Sequence, residues 1–168
     1  MLGTDAGLER ALAIAYRYLN LRERTRAEMH AHLESKGIDA RDTERSIEAL
    51  VDQGHLDDAR FARLFVQDKR ELEQWGADRI RQALRVRGVD SDVAETALAQ
   101  HEHEHEHEHE GSGGEIDRAL AVLRRRFPSP ASDRRERERA LGVLLRKGYD
   151  SDVALEAIAA HIRDLDTS

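Results

Sequence analysis

Cysteine is absent from the 168-residue sequence, which excludes both a disulfide and a thiolate zinc site. Aromatic residues make up only 4% of the chain, so a large aromatic core is excluded as well. No apolar run approaches the roughly 18 residues that a membrane-spanning helix needs, and Met1–Asp5 has neither the basic flank nor the apolar stretch of a signal peptide. These absences suit a reducing compartment, and we expect a cytoplasmic protein without a membrane segment.

The residues that are abundant favour helix over strand. Charged residues account for 36% of the chain and hydrophobic residues for 39%. Ala, Leu, Glu and Arg dominate, and these side chains lose little rotamer freedom in a helix. The composition therefore predicts an all-α fold with almost no sheet.

One helix ending occurs three times along the chain. Each copy has Leu, three further residues, Gly, an apolar residue and Asp, a pattern that predicts a Schellman closure with glycine in the left-handed conformation. The Leu and the apolar residue after Gly are expected to touch in such a closure. The three copies are "LESKGID" at Leu33–Asp39, "LRVRGVD" at Leu84–Asp90 and "LLRKGYD" at Leu144–Asp150.

The repeated ending divides the chain into three units of about fifty residues, the size range of repeat proteins. Apolar stripes at helical spacing predict three helices in each unit, and Thr25 and Glu28 have the spacing of a capping box. Such small units bury little alone, so we expect an elongated tandem array of three three-helix repeats, and a monomer. The predicted boundaries are 1–54, 55–100 and 115–168, separated before the third unit by an insertion at 101–114.

The insertion, "HEHEHEHEHEGSGG" at His101–Gly114, permits two interpretations. On a helix, His101, His105 and His109 share a face, a spacing that can chelate zinc or nickel. Ten alternating charged or titrating residues followed by Gly-Ser-Gly-Gly have no apolar stripe, however, which is typical of a solvated linker. We favour the linker, without assigning the tract a native, tag or weak metal-binding origin.

No group of residues in the sequence predicts catalysis. His30 and His32 face different sides of their helix, while His55 and His161 have no nucleophile or base partner suggested by spacing. Gly111–Gly114 lacks the Lys-Ser/Thr pair of a phosphate-binding loop. We therefore expect a protein that is not an enzyme and that needs neither a cofactor nor a metal.

Arginine is concentrated in two regions and is the main candidate for partner binding. Asp117–Lys147 holds ten Arg and Lys against four Asp and Glu, although outside the glutamates of the His/Glu tract the chain carries a net charge of only −2. These arginines form either an ordinary solvated surface or a surface for carboxylates and phosphates. The single tryptophan is either an interface anchor or a local core residue. The candidate partner-binding residues are Trp75, Arg79, Arg81, Arg85, Arg87, Arg124, Arg125, Arg126, Arg134 and Arg135.

Four stretches closely resemble the RecX family of bacterial recombination regulators, and the resemblance covers nearly the whole chain apart from the His/Glu tract. The most specific match is at Gly54–Phe65, followed by the Arg-Ile-Arg of Arg79–Arg81, although His55 stands where the family usually has an aromatic residue. The stretches are "RERTRAEMHAHLESKGID", "GHLDDARFARLFVQDKR", "RIRQALRVRGVD" and "RERERALGVLLRKGYDSDVALEAI".

The resemblance implies a non-enzymatic protein of tandem three-helix repeats that binds RecA in the groove of its filament. Such proteins modulate, and usually inhibit, the recombinase, ATPase and coprotease activities of RecA in DNA repair and the SOS response. A direct nucleic-acid binder is the rival hypothesis, since basic helical repeats also hold phosphate backbones. Weak direct contact with DNA is compatible with either function.

Overall fold

A computed structural model describes residues 3–108, 114–129, 131 and 133–164 of the chain. This part of the chain forms nine helices and no strand, so the prediction of an all-α protein with three tandem three-helix segments is confirmed. None of the described helices is long and apolar enough to cross a membrane. The helices are α1 Gly3–Leu19, α2 Arg26–Ser35, α3 Ala40–Asp52, α4 Asp58–Glu71, α5 Ala77–Val86, α6 Ser91–Glu108, α7 Glu115–Arg126, α8 Arg134–Lys147 and α9 Ser151–Arg163.

The three predicted closures end the middle helix of each segment, α2, α5 and α8. Gly37, Gly88 and Gly148 have φ angles of 74°, 75° and 89°, which an L side chain rarely adopts. In each closure the amide after the glycine donates to the carbonyl of the Leu five residues earlier, at 3.1 to 3.2 Å. The Schellman prediction is confirmed at all three positions.

Capping side chains begin four of the helices, α2, α3, α8 and α9. Thr25 and Glu28 form the predicted capping box at the start of α2, each side chain bonding the backbone of the other residue. Asp39, Asp133 and Asp150 accept hydrogen bonds from the first turns of α3, α8 and α9. These caps satisfy amides that a helix cannot satisfy internally, which is why the helices start at these residues.

The chain divides into two compact units, of which unit 1 comprises 1–62 and 84–94. Its core lies among α1, α2 and α3, where Met29, Leu33 and Leu50 are completely buried. Ile38, the residue after the first closure glycine, is also part of this core. The closure therefore turns the chain and supplies a core residue at the same time.

Unit 2 comprises 63–83 and 95–168. Its core is built by α7, α8 and α9, with Leu123, Leu144 and Ala157 completely buried. Tyr149, which follows the third closure glycine, is only 2% exposed and belongs to this core. Burial raises the pKa of the Tyr149 phenol to about 12.

The middle segment, α4 to α6, is shared between the two units rather than forming a compact unit of its own. Its buried residues include Val66, Ile80 and Leu84. Compactness and sequence repetition thus divide the chain differently, and the predicted repeat boundaries at residues 54, 100 and 115 stay predictions.

The linker prediction is wrong for the first residues of the His/Glu tract. His101–Glu108 continue helix α6, and His101 is only 7% exposed. Glu102 accepts hydrogen bonds from Arg70 and Arg118, so it belongs to the folded unit. The rest of the tract, 109–113, lies outside the described residues. Among the side chains that the structure describes, no group of three or more metal-ligating residues forms a metal site.

Candidate functional site

The start of α2 packs against the end of α5 within unit 1, a contact that we call the Gly88 junction. The Thr25 hydroxyl donates to the carbonyl of Arg87 at 2.7 Å. A Cβ at Gly88 would overlap the side chain of Ala27. The glycine is therefore required twice, by its backbone conformation and by the close approach of α2.

The start of α5 likewise packs against the end of α8 within unit 2, but through backbone hydrogen bonds, and we call this contact the Gly148 junction. The amide of Gly76 donates to the carbonyl of Lys147 at 2.7 Å, and the amide of Asp78 donates to the carbonyl of Gly148 at 3.1 Å. The Arg79 guanidinium donates to the carbonyl of Arg146 at 3.2 Å. A Cβ at Gly76 would overlap the backbone of Gly148, so only glycine permits this approach.

The Gly148 junction holds Trp75 at the surface of unit 2. The guanidinium carbon of Arg79 lies 4.0 Å from the indole ring centre, and the ammonium of Lys69 lies 4.7 Å from it. Phe65 packs edge-on against the ring, with the two centres 6.4 Å apart. Trp75 thus holds two cations in place by cation–π attraction while it contacts a further aromatic residue.

Two adjoining grooves of about 640 and 720 Å³ open on this surface of unit 2. They share Arg126, Val143 and Arg146, and together we call them the basic groove. Its walls come from the α4–α5 connection, the end of α7 and the outer side of α8. The cations that line it are Arg79, Arg125, Arg126, Arg135, Arg139, Arg146 and Lys147.

The positive charge of the groove is largely uncompensated. Its two carboxylates already have partners, because Glu73 pairs with Lys69 and Glu138 with Arg134. The hydrogen bond from Lys69 is the main reason that the pKa of Glu73 lies below its ordinary value. Within the described parts of the chain, Arg125, Arg126, Arg139 and Arg146 have no ion-pair partner.

The pKa of Lys147 reports the same electrostatic environment. Partial burial and the neighbouring guanidinium groups of Arg79 and Arg125 lower it from its ordinary value. The Lys147 ammonium donates to the carbonyl of Glu73 at 2.6 Å, which anchors it at the groove wall. Cations that disfavour one another are held together here by the fold, so an anion is the ligand that this site would favour.

Three apolar residues also line the groove, and we call them its floor. Val122, Val143 and Phe127 line it between the arginine side chains. Leu72, at the rim, is 77% exposed. The site therefore combines unpaired cations with apolar surface, which an ordinary solvated arginine surface does not require.

A buried ion cluster next to the Gly148 junction fixes the Trp75 loop. Arg70, with its side chain 2% exposed, bonds Glu102 and Glu115 at 3.0 Å each, and its second nitrogen donates to the carbonyl of Trp75 at 3.2 Å. Glu115 also accepts from the amide of Ala77 at 2.8 Å. Burial opposes ionisation of Glu115, but Arg70 and that amide outweigh it, so the pKa of Glu115 lies below its ordinary value.

The structure brings five of the ten predicted residues together in the basic groove, leaves three others in unit 2 outside the groove, and places two in unit 1. Arg79, Arg125, Arg126 and Arg135 line the basic groove with Trp75. Arg85 and Arg87 belong to unit 1. The others, Arg81, Arg124 and Arg134, are paired with Glu95 at 2.5 Å, with Asp164, and with Glu138 at 2.8 Å, respectively.

Three cations of the groove are not among the residues predicted from the sequence: Arg139, Arg146 and Lys147. Arg139 and Arg146 are seven residues apart, which is two turns of α8, and therefore lie on one face of that helix. This spacing was present in the sequence and could have selected them. The packing of α8 against the α4–α5 connection, in contrast, cannot be predicted from residue spacing in the sequence.

The fold and this site define a class of protein, an all-helical protein of tandem three-helix segments with a basic groove on one of its units. Sequence profiles of the three RecX three-helix domains match the chain in order: the first at residues 11–50, the second at 57–98 and the third at 114–158. The chain belongs to the RecX family.

Individual relatives agree with the profiles over nearly the full chain. The regulatory protein RecX of Halorhodospira halophila is 36% identical over 165 residues, which cover 98% of this chain and 96% of the relative. That of Mycobacterium marinum is 33% identical over 157 residues, covering 92% and 86%. The crystal structure of RecX from Lactobacillus salivarius superposes with a TM-score of 0.76 over 98% of this chain and 99% of that one, at 22% identity, and so shares the fold.

Proposed function

We propose that this protein binds RecA, or the RecA filament on DNA, and modulates, usually inhibits, its recombinase, ATPase and coprotease activities. It acts by binding rather than by catalysis. Membership of the RecX family supports this function, because the relatives are named regulatory proteins. The uncompensated basic groove of unit 2 is the observation that carries the binding step.

The basic groove is the proposed contact surface for RecA. Seven cations line it, and both of its carboxylates are already paired, so a complementary acidic surface gains attraction without breaking existing ion pairs. Arginine is suited to this task because its planar guanidinium can hold a carboxylate through two parallel hydrogen bonds.

Direct binding to nucleic acid is a second candidate function, supported by the same row of cations. Phosphate backbones are recognised largely through such charges, and their affinity falls steeply as salt rises. The two functions differ in how much protein is needed, since a RecA regulator acts on filaments without coating the DNA.

The experiment adds the protein to RecA assembled on single-stranded DNA and follows ATP hydrolysis. We expect hydrolysis to fall at protein amounts too small to cover the DNA. Inhibition only at amounts that saturate the DNA would contradict RecA regulation and support the nucleic-acid binder.

Charge reversal tests the groove in the same assay. Replacing Arg125, Arg126 and Arg146 together with Glu is expected to raise the half-inhibitory concentration at least about tenfold. The matched control makes the same charge change at Arg10, Arg17 and Arg41, which are exposed in unit 1. Equal inhibition by both triple variants would show that RecA contacts another surface.

A further inference from the structure

The basic groove offers an anion two kinds of surface, and both restrict what can occupy it. Its rim carries cations, while Val143 and Phe127, both half-buried, add apolar surface to its floor. Leu72 adds an apolar side chain at the rim that is 77% exposed. A ligand with charge alone leaves this apolar surface in water, whereas one that also carries apolar side chains buries it.

Trp75 already contacts two cations, which compete with a nucleic-acid base for stacking on its ring. Arg79 lies 4.0 Å and Lys69 4.7 Å from the centre of its ring. The ring of Phe65 is steeply inclined to it, with the two ring centres 6.4 Å apart. Single-stranded nucleic acid is usually held by stacking on open aromatic faces together with a charged groove. Here the indole positions cations instead, which favours carboxylates in an extended peptide.

Gly142 indicates that the floor of the groove is kept open. It lies inside helix α8, where glycine is less favourable than alanine, and it lines the groove. The nearest atoms to a Cβ at this position would be those of the Arg146 guanidinium, at 3.1 Å. That flexible side chain can move, so the packing of the described residues of unit 2 does not demand a glycine, whereas a ligand that approaches the helix backbone would.

We propose that the basic groove binds an extended acidic peptide segment in which carboxylates flank an apolar side chain. The carboxylates pair with Arg125, Arg126 and Arg146, and the apolar side chain lies on the floor beside Val143 and Gly142. This inference rests on the proposed function in that the segment belongs to the regulated partner protein, but its chemistry can be measured without that partner.

Trp75 makes the measurement direct, because it is the only tryptophan of the chain and it lines the groove. The full-length protein is titrated with a short synthetic peptide of repeating Glu-Leu-Glu, and tryptophan emission is followed. Three matched probes accompany it: the same peptide with Gln for Glu, the same peptide with Ser for Leu, and a single-stranded oligo-dT of similar length.

The acidic peptide is expected to change Trp75 emission with saturation. Replacing Glu with Gln should weaken binding at least about tenfold, and replacing Leu with Ser about threefold or more. Tighter binding of oligo-dT than of the peptide would overturn the proposal in favour of nucleic acid. Equal binding of the Leu and Ser peptides would also overturn it, because the apolar floor would then have no role.

Filling the groove without changing its charge gives a second test. Gly142→Leu should weaken binding of the Glu-Leu-Glu peptide about tenfold while leaving the melting temperature unchanged or raised, since leucine favours helix. Gly142→Ala, the matched control, should have an effect of about threefold or less. Unchanged peptide affinity in Gly142→Leu would overturn the inference.

The outcomes separate this inference from the proposed function. If the wild-type protein inhibits RecA and the groove triple variant does not, but no acidic peptide binds, RecA regulation stands and the peptide inference fails. If the peptide binds as expected and RecA hydrolysis is unaffected by the wild-type protein, the proposed partner is wrong and the chemistry of the groove stands.

Discussion

The Gly88 and Gly148 junctions use the same closure in different ways. At Gly88 the contact includes a side-chain hydrogen bond, in which the Thr25 hydroxyl donates to the carbonyl of Arg87. At Gly148 the backbone amides of Gly76 and Asp78 replace that hydroxyl. The comparison shows that a helix can pack on a closure through a side chain or through backbone amides, and that the second contact here requires glycine at the position before the helix.

The Gly148 junction also adjoins the basic groove, the proposed contact surface. Lys147 and Tyr149 donate to the carbonyls of Glu73 and Gln74, at 2.6 and 3.0 Å, and thereby fix the loop that carries Trp75. Gln74 has a φ of 53°, which is unusual for a residue other than glycine. The Gly148 junction thus positions the α4–α5 connection, which forms one wall of the basic groove.

The largest expected effect comes from removing the buried cation beside the Gly148 junction. Arg70→Met leaves the Glu115 carboxylate partly buried without its main partner, and we expect the free energy of unfolding to fall by about 3 kcal/mol. Urea denaturation measures the loss. Arg81→Met, which breaks an exposed pair, is the matched control and should cost less than about 1 kcal/mol.

The same variant should change the dependence of stability on pH. The folded pKa of Glu115 lies below its unfolded value, so this carboxylate contributes stability that is fully present above the usual glutamate pKa of about 4.3 and is lost as the pH falls through the folded value. In Arg70→Met this acid-range loss should shrink. An unchanged pH profile would show that Arg70 does not stabilise the charged form.

A methyl group at Gly76 tests the backbone contact of the Gly148 junction. Gly76→Ala is expected to lower the free energy of unfolding by about 2 to 3 kcal/mol, because its Cβ overlaps the backbone of Gly148 rather than a movable side chain. Gly37→Ala introduces only backbone strain, of about 1 kcal/mol, since no described atom lies within 4 Å of a Cβ there. Equal losses in chemical denaturation would refute the role assigned to the close approach.

Single hydroxyl groups give the smallest effects and compare the two junctions directly. Thr25→Ala removes the hydroxyl that caps α2 and reaches Arg87, and should cost about 1.5 kcal/mol. Tyr149→Phe removes one hydrogen bond among several and should cost about 1 kcal/mol or less. Melting curves of both variants show which of them loses more stability. A larger loss of stability in Tyr149→Phe would contradict the role assigned to the Thr25 hydroxyl in the Gly88 junction.

The helices and their closures could be predicted because their signals are local. The Leu-to-Gly spacing and the Thr25–Glu28 box each depend on residues within six positions of one another. The groove could be predicted only in part, because compensation of charge is not local. Arg124 is neutralised by Asp164, forty residues away, and no spacing rule distinguishes it from Arg125 beside it.

The His/Glu tract shows why composition misled. A run of alternating His and Glu has no apolar stripe, so it predicts a solvated segment. The helix that precedes it nevertheless continues, and Glu102 finds the buried Arg70, which is thirty-two residues earlier. A buried arginine needs a carboxylate partner, and the sequence contained no local indication that the tract would supply it.

Gly37 differs from the two other closure glycines in the space around it, which affects the substitutions that it can tolerate. Gly88 and Gly148 must lack a Cβ because Ala27 and Arg79 lie against them, whereas the position of Gly37 has open space around it in the described structure. Asn, the residue that best tolerates a left-handed backbone after glycine, should therefore appear at the first closure in related sequences and be excluded from the other two. The residues found at these three positions in related sequences would then show which helix ends are in contact with another helix.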